Sequence, residues 1–198
     1  MKRLLLVFCL AVSANAITGC HRVDMPGMSY VAPDGWIRED PTSDHRMIQY
    51  RLRGETKEAG DARLVVYYFG EAGTGDVEAN IDRWARQFRQ PDGRPSLEVA
   101  RVERREANGL VVHTIAMEGT YTAMTETGEH LNRPNRSIHA AVVYTDAGPY
   151  YFKVVGPTET VRNWDASYEA LLASFQPIPV PVKSDEDASE GSVEEPTQ

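Results

Sequence analysis

Residues 97–120 read LEVARVERREANGLVVHTIAMEGT, and this stretch decides the fold class of the chain. Two runs rich in β-forming residues, 97–106 and 110–120, flank the pair Asn108-Gly109. Both residues of that pair tolerate a positive φ, which a two-residue turn between antiparallel strands requires. The stretch therefore predicts a β-hairpin, and with it an antiparallel sheet.

Further strand signals lie on both sides of this hairpin. Residues 28–31 and 47–52 are short apolar or alternating runs, and residues 64–69 form a continuous run of β-formers, as in a central strand. Residues 136–144 and 150–155 predict a second hairpin. Together these patterns predict an antiparallel β-sheet of about six to seven strands.

Two helices are predicted to flank this sheet. The first, residues 76–89, carries one apolar stripe at helical spacing: Val77, Ile81, Trp84 and Phe88. The second follows Gly156-Pro157, because proline is well suited to the first turn of a helix. Its stripe comprises Val161, Trp164, Tyr168, Leu171, Leu172 and Phe175. Each stripe must be buried against the sheet, so the predicted fold class is an α+β sandwich spanning a single domain, residues 28–176.

The N-terminus has the pattern of an export signal. Lys2 and Arg3 precede an apolar run too short to span a bilayer, so residues 1–19 are interpreted as a lipoprotein signal peptide. Ile17-Thr18-Gly19-Cys20 resembles a bacterial lipobox, which predicts lipid attachment at Cys20. The alternative is ordinary secretion with cleavage after Ala14-Asn15-Ala16. Residues 20–27 are expected to be a short tether that holds the domain close to the membrane.

The C-terminus changes character at Pro177. Residues 177–182 alternate proline with aliphatic residues, and residues 183–198 hold one base and six acids. Such a segment buries too little apolar surface to fold, so residues 177–198 are predicted to be a Pro-rich and then acidic disordered tail. The full chain has 198 residues and a net charge of −8, which argues against a nucleic-acid partner.

Four patches of the sequence resemble a known family. They are Ala32-Pro33-Asp34-Gly35-Trp36, residues 80–87 (NIDRWARQ), Glu118-Gly119-Thr120-Tyr121 and residues 151–157 (YFKVVGP). In this order they resemble uncharacterised bacterial exported proteins with a PsbP/Mog1-like domain, over about residues 30–175. The resemblance implies an antiparallel sheet between helices and a binding or assembly role. No photosystem or small-GTPase contact motif accompanies it.

The sequence offers one candidate binding surface, the loop 121–135, which is longer than a hairpin needs. Its candidate residues are Glu126, Glu129, His130 and Arg133. His113 and His139 lie on predicted strands, but a metal site needs three or four ligands. The Asn80, Arg83 and Trp84 cluster is interpreted as structural. No catalytic residue, metal site or cofactor is predicted.

These observations predict a membrane-anchored bacterial lipoprotein that acts as a non-enzymatic binding or assembly module in the cell envelope. Its expected location is the cell membrane or outer membrane, on the periplasmic or extracellular face. An envelope protein is its expected partner. The alternative is an envelope hydrolase or a small-ligand-binding protein that uses the 121–135 loop.

Overall fold

The structure is a computed structural model that describes residues 21–125 and 127–180. Its strands are β1 (His21–Met25), β2 (Met28–Ala32), β3 (Ile37–Glu39), β4 (Arg46–Leu52), β5 (Ala62–Tyr68), β6 (Phe88–Arg89), β7 (Arg101–Ala107), β8 (Leu110–Tyr121), β9 (Arg133–Thr145), β10 (Gly148–Pro157) and β11 (Gln176–Pro177). Its helices are α1 (Val77–Ala85), α2 (Ser96–Val99), α3 (Thr158–Asn163) and α4 (Asp165–Ala173). The predicted signal peptide, Cys20, Glu126 and the acidic segment of the tail lie outside the described residues.

The main sheet has eight antiparallel strands, which confirms the α+β fold class. Its order is β3-β4-β5-β10-β9-β8-β6, and β7 also pairs with β8. The predicted hairpin is β7–β8, with Asn108 at φ 50° and Gly109 at φ 90° in its turn. The predicted central strand is β5, which lies between β4 and β10. The predicted sheet of six to seven strands is smaller than this eight-stranded sheet. The described residues also form a second sheet of three strands, β1-β2-β11, which was not predicted.

Apolar side chains cover both faces of the main sheet. On one face, Phe152 and Val154 of β10 pack with Leu171 and Phe175 of the α4 region and with the three-stranded sheet. On the opposite face, α1 packs its buried residues against β8, β9 and β10. Because side chains alternate along a strand, Lys153 of β10 faces the same side as α1. This placement positions the candidate site described below.

Both predicted helices are shorter in the structure. The first ends at Ala85, because Phe88 joins β6 and pairs with Tyr121 of β8. The second is divided into α3 and α4 at Trp164, whose φ of −101° departs from helical geometry. The indole N–H of Trp164 donates to the Arg53 carbonyl oxygen at 2.9 Å. The fourth helix, α2, occupies the start of the predicted strand 97–106, which begins only at Arg101, so the described residues contain four helices where two were predicted.

The predicted tether needs correction. His21–Met25 is strand β1, which pairs with β2 in antiparallel register and buries Met25. At the other end, β11 pairs with β2, and the Ile178 N–H donates to the Gly27 carbonyl oxygen at 3.1 Å. β1 and β2 form a hairpin around Pro26-Gly27, with Gly27 at φ 78°, whereas β11 is a strand because the distant β2 satisfies its backbone hydrogen bonds. The fold thus runs from residue 21 to residue 178, beyond the predicted limits of 28 and 176.

Candidate functional site

The predicted recognition loop is an ordered extension of the β8–β9 hairpin. It spans residues 122–132, because residue 121 belongs to β8 and residues 133–135 belong to β9. The Leu131 N–H donates to the Ala123 carbonyl oxygen at 2.9 Å, and the Thr125 N–H donates to the Glu129 carbonyl oxygen at 2.8 Å. At its base, the Thr122 N–H donates to the Gln87 carbonyl oxygen at 2.8 Å, just after α1. These bonds hold the loop over the α1 face of the main sheet.

The structure separates the residues that the sequence grouped in this loop. Glu129 and His130 are exposed, and His130 forms a β-bridge with Met124. Arg133 is also exposed, but it lines a cavity beside the loop. Glu126 lies outside the described residues. Among the predicted residues that the structure describes, only Arg133 therefore borders a concave site.

That cavity, which we call the basic cleft, has a volume of about 530 Å³. It lies between the loop and the sheet, with Val65, Tyr121, Met124 and Leu131 among its apolar walls. Its cationic lining consists of Arg46, Arg63, Arg133 and Lys153. No carboxylate occurs among the described residues that line it. A cleft so lined stabilises bound negative charge.

Lys153 is the most constrained of these cations. It lies on β10 between Val65 of β5 and Ala140 of β9, so its stem is enclosed by the sheet. Its Nζ donates to Oε1 of Gln87 and lies 5.8 Å from the ring centroid of Tyr121. Burial, together with smaller effects of the nearby cations Arg83 and Arg46, lowers the pKa of Lys153 to about 8. Its hydrogen-bond partner Gln87 is a neutral amide.

The arginines reach the basic cleft from separate strands. Arg46, at the start of β4, donates to Oγ1 of Thr42 at 2.7 Å and to Oε1 of Gln49 at 3.0 Å. Arg63 of β5 lies 3.8 Å from a Glu39 carboxylate oxygen, a distance at which the pair is weak. Arg133 stands at the start of β9. Sequence reasoning missed Arg46, Arg63 and Lys153.

Tyr121 forms part of the cleft wall, and its pKa responds to both burial and the nearby cations. Burial is the largest cause that raises its pKa, while Arg133 and Arg46 act in the opposite direction. The phenol therefore stays neutral at physiological pH and offers a ring face to Lys153. The cleft combines fixed positive charge with an aromatic and aliphatic wall, an arrangement suited to holding an anionic group.

The other candidates from the sequence have structural roles. Nδ2 of the fully buried Asn80 donates to three carbonyl oxygens of the turn before α1, at 3.2, 3.3 and 2.7 Å. Arg83 contacts Oδ1 of Asn80, and Trp84 is buried against the sheet. His113 and His139 do lie on strands, but their register places them on opposite faces of β8–β9.

Within residues 21–125 and 127–180, no three histidine, cysteine, aspartate or glutamate side chains lie close enough to hold a metal ion. His139 instead contacts Asp165, with Nδ1 and Oδ1 3.5 Å apart, and burial lowers its pKa. None of the described helices is both long enough and apolar enough to cross a bilayer.

This α+β architecture is shared with a solved bacterial protein. LpqN of Mycobacterium tuberculosis, a protein involved in cell envelope biogenesis, has a TM-score of 0.52 with this chain, at 10% identity, over 80% of this chain and 90% of LpqN. The sequence-based resemblance to PsbP-like bacterial envelope proteins is thereby confirmed at the level of the fold.

Two other solved structures are similar over most of the chain. The solution structure of cyanobacterial PsbP (CyanoP) from Synechocystis has a TM-score of 0.49 at 15% identity, over 84% of this chain and 98% of that protein. PA94 of Pseudomonas aeruginosa, a putative regulator of unknown function, has a TM-score of 0.43 at 12% identity, over 78% of this chain and 92% of that protein. No family model and no curated protein matches the sequence.

Proposed function

We propose that this protein is a lipid-anchored binding module of the bacterial cell envelope that holds an anionic ligand in the basic cleft without transforming it. One observation carries the proposal: four cations from separate strands converge on a cavity whose described lining contains no carboxylate. A bound anion would interact favourably with this concentration of positive charge. The proposal combines the expected binding module with the alternative of a small-ligand-binding protein that uses the 121–135 loop.

The cellular setting of the proposal follows from the sequence and the fold. Ile17-Thr18-Gly19-Cys20 has the lipobox pattern, and LpqN, which shares the fold, is described as involved in cell envelope biogenesis. Cys20 directly precedes β1, so a lipid on that residue would place the fold against the membrane surface. An envelope protein partner is part of the same proposal, and crosslinking in intact envelopes tests it.

The ligand-binding alternative is preferred here to the hydrolase alternative. A hydrolase site at the loop would bring acids and histidines together, whereas the described lining of the basic cleft brings four cations together. At neutral pH, Lys153 with a pKa near 8 remains mostly protonated, so it acts as a fixed charge. Incubation with tripolyphosphate should therefore release no free phosphate.

Calorimetric titration with sulfate tests the binding proposal. The full protein, purified in a non-ionic detergent, should bind sulfate, and Lys153→Gln should weaken binding about tenfold or more, since a hydrogen bond to a charged group is lost. Lys57→Gln is the matched control, because Lys57 is exposed and lies outside the cleft. Equal affinities for wild type and Lys153→Gln would refute the assignment of the site.

Lipid attachment is tested separately. Cells grown with labelled palmitate should incorporate label into the wild-type protein and not into Cys20→Ala. An unlabelled wild-type protein would refute the lipid anchor while leaving the basic cleft untouched. The two parts of the proposed function can therefore fail independently.

A further inference from the structure

A second cavity of about 340 Å³ adjoins the basic cleft. The two cavities share the walls formed by Arg63, Tyr121, Arg133 and Val155. The second cavity adds two further arginines, Arg51 and Arg136, together with Asp61 and Gly156. Positive charge thus continues from the basic cleft across the same face of the sheet.

Arg136 is the notable side chain of this second cavity. It is partly buried, and its Nε is a buried atom for which no hydrogen-bond partner is found among the described residues. Burial lowers the pKa of Arg136, and the neighbouring Arg133 acts in the same direction. A buried donor without a partner costs free energy, which an anion in the adjoining space would recover.

The second cavity contains little opposing charge. Asp61 is the one carboxylate among the described residues that line either cavity. Its carboxylate lies 3.5 Å from the Arg51 guanidinium and accepts a hydrogen bond from the Gly54 N–H at 3.0 Å. Asp61 therefore interacts with Arg51 and Gly54. Arg51 also contacts Glu39 at 2.8 Å. Arg136 and Arg133 are therefore the cations with which a ligand in this space would pair.

The spacing of the two cavities can be gauged along β10. Arg136 of β9 pairs with Pro157 of β10, four residues along the strand from Lys153 and on the same face of the sheet. At about 3.3 Å per residue, the backbone positions of Lys153 and Arg136 lie roughly 13 Å apart along the strand direction. One small anion cannot bridge that distance, whereas a chain of linked anionic groups can.

We propose that the two cavities form one basic groove for an extended ligand that carries at least two phosphate-type groups roughly 13 Å apart. The inference rests on the proposed function and adds the ligand class. The donors come from strands β4, β5, β9 and β10 and so approach from several directions. A phosphate chain offers three free oxygens at each end and two on each internal group, and rotation about its P–O–P bridges turns them toward donors in different directions. A carboxylate offers two oxygens in one plane, and arginine pairs well with phosphate.

A length series tests this inference on the full protein in non-ionic detergent. Calorimetry compares orthophosphate, tripolyphosphate and a polyphosphate of about ten units at fixed ionic strength. Lys153→Gln should weaken all three ligands about tenfold or more. Arg136→Gln should weaken the ten-unit ligand about tenfold and leave orthophosphate within about twofold. Arg104→Gln, on an exposed arginine of β7 outside both cavities, should change neither.

A second measurement needs no variant, in case Arg136→Gln fails to fold. The affinity of wild type should fall more steeply with salt for the ten-unit ligand than for orthophosphate, because more ion pairs form in the longer groove. Equal salt slopes would overturn the extended groove. So would an Arg136→Gln effect that is the same at every ligand length.

The remaining outcomes separate the two proposals. If none of the three phosphates binds, the proposed function itself fails. If all three bind with no gain from length, the basic cleft stands and the extended groove fails. An oligoglutamate of matched charge should bind at least about tenfold more weakly than the ten-unit polyphosphate. Equal or tighter binding of oligoglutamate would overturn the phosphate-type ligand class.

Discussion

Replacing Lys153 by methionine should stabilise the free protein and weaken its ligand binding. In the fold the pKa of Lys153 is lowered from 10.5 to about 8, mainly by burial. At 1.36 kcal/mol per pKa unit, this shift corresponds to about 3 kcal/mol of destabilisation of the charged form. Methionine keeps the length of the stem and removes the charge, while loss of the bond to Gln87 costs about 1 kcal/mol. We expect a net gain of about 1–2 kcal/mol near pH 7.

The sign of the pH dependence follows from proton linkage. Between pH 8 and 10.5 the unfolded wild-type chain binds more protons at Lys153 than the folded chain does. The stability of wild type therefore rises with pH through this window. The advantage of Lys153→Met should be largest below pH 8 and should be lost as the pH approaches 10.5.

Urea unfolding at pH 7 and at pH 10.5, in a buffer free of phosphate and sulfate, measures both effects. Lys57→Met serves as the control. Lys57 is exposed, so this substitution should keep the free energy of unfolding within about 0.5 kcal/mol of wild type. A Lys153→Met protein that is less stable than wild type at pH 7 would refute the reasoning. So would a stability difference that stays constant between the two pH values.

Three further predictions concern the framework and the tail. Gly156→Ala should cost roughly 1–3 kcal/mol in urea unfolding, because its Cβ would lie 2.3 Å from the Ala62 Cβ; a cost below about 0.5 kcal/mol would contradict the close approach of β5 and β10. Asn80→Ala should cost about 1–3 kcal/mol, since carbonyl oxygens of the turn before α1 lose their donor, and an unchanged midpoint of thermal unfolding would contradict that role. Removal of residues 183–198, with one base and six acids, should raise the affinity for polyphosphate about twofold or more at low salt, and the gain should shrink in about 0.5 M salt. A tail of the same length with Asn and Gln in place of its acids should behave like the truncated protein, and an unchanged affinity in both would contradict the electrostatic reasoning.

The parts of the fold that local sequence encodes could be predicted. Asn108-Gly109 specifies the β7–β8 turn by its positive φ angles, so the hairpin and the antiparallel sheet follow from a few residues. The apolar spacing of Val77, Ile81 and Trp84 likewise predicts α1 and its buried face. These signals depend on neighbours in the chain and not on tertiary contacts.

The missed elements differ in what encodes them. β1 forms a hairpin with its chain neighbour β2 around Pro26-Gly27, a turn signal that sequence reasoning missed, whereas β11 is a strand because the distant β2 supplies its hydrogen-bond partners. No proline or glycine marks the helix break at Trp164, and the apolar stripe continues through it. The indole of Trp164 contacts Arg53, a residue far away in the sequence. Patterns in a single sequence carry no record of such pairings.

The candidate site was predictable only at its rim. Arg133 was found because it follows the long loop, whereas Arg46 and Arg63 come from other strands that the sheet brings beside it. One local signal existed for Lys153, a charged residue inside the apolar run of residues 151–155. The net charge of −8 gave no indication of an anion-binding site. It is a sum over the whole chain, whereas the cations of the groove are concentrated on one part of the surface.

The most direct test of the basic cleft is anomalous diffraction from crystals of the protein soaked in selenate, a tetrahedral dianion with a strong anomalous signal. The account predicts a selenium peak in the cleft, with selenate oxygens within hydrogen-bond distance of Lys153 Nζ and of a guanidinium from Arg46, Arg63 or Arg133. Selenium peaks found only elsewhere on the surface, with no anion beside Lys153, would contradict it.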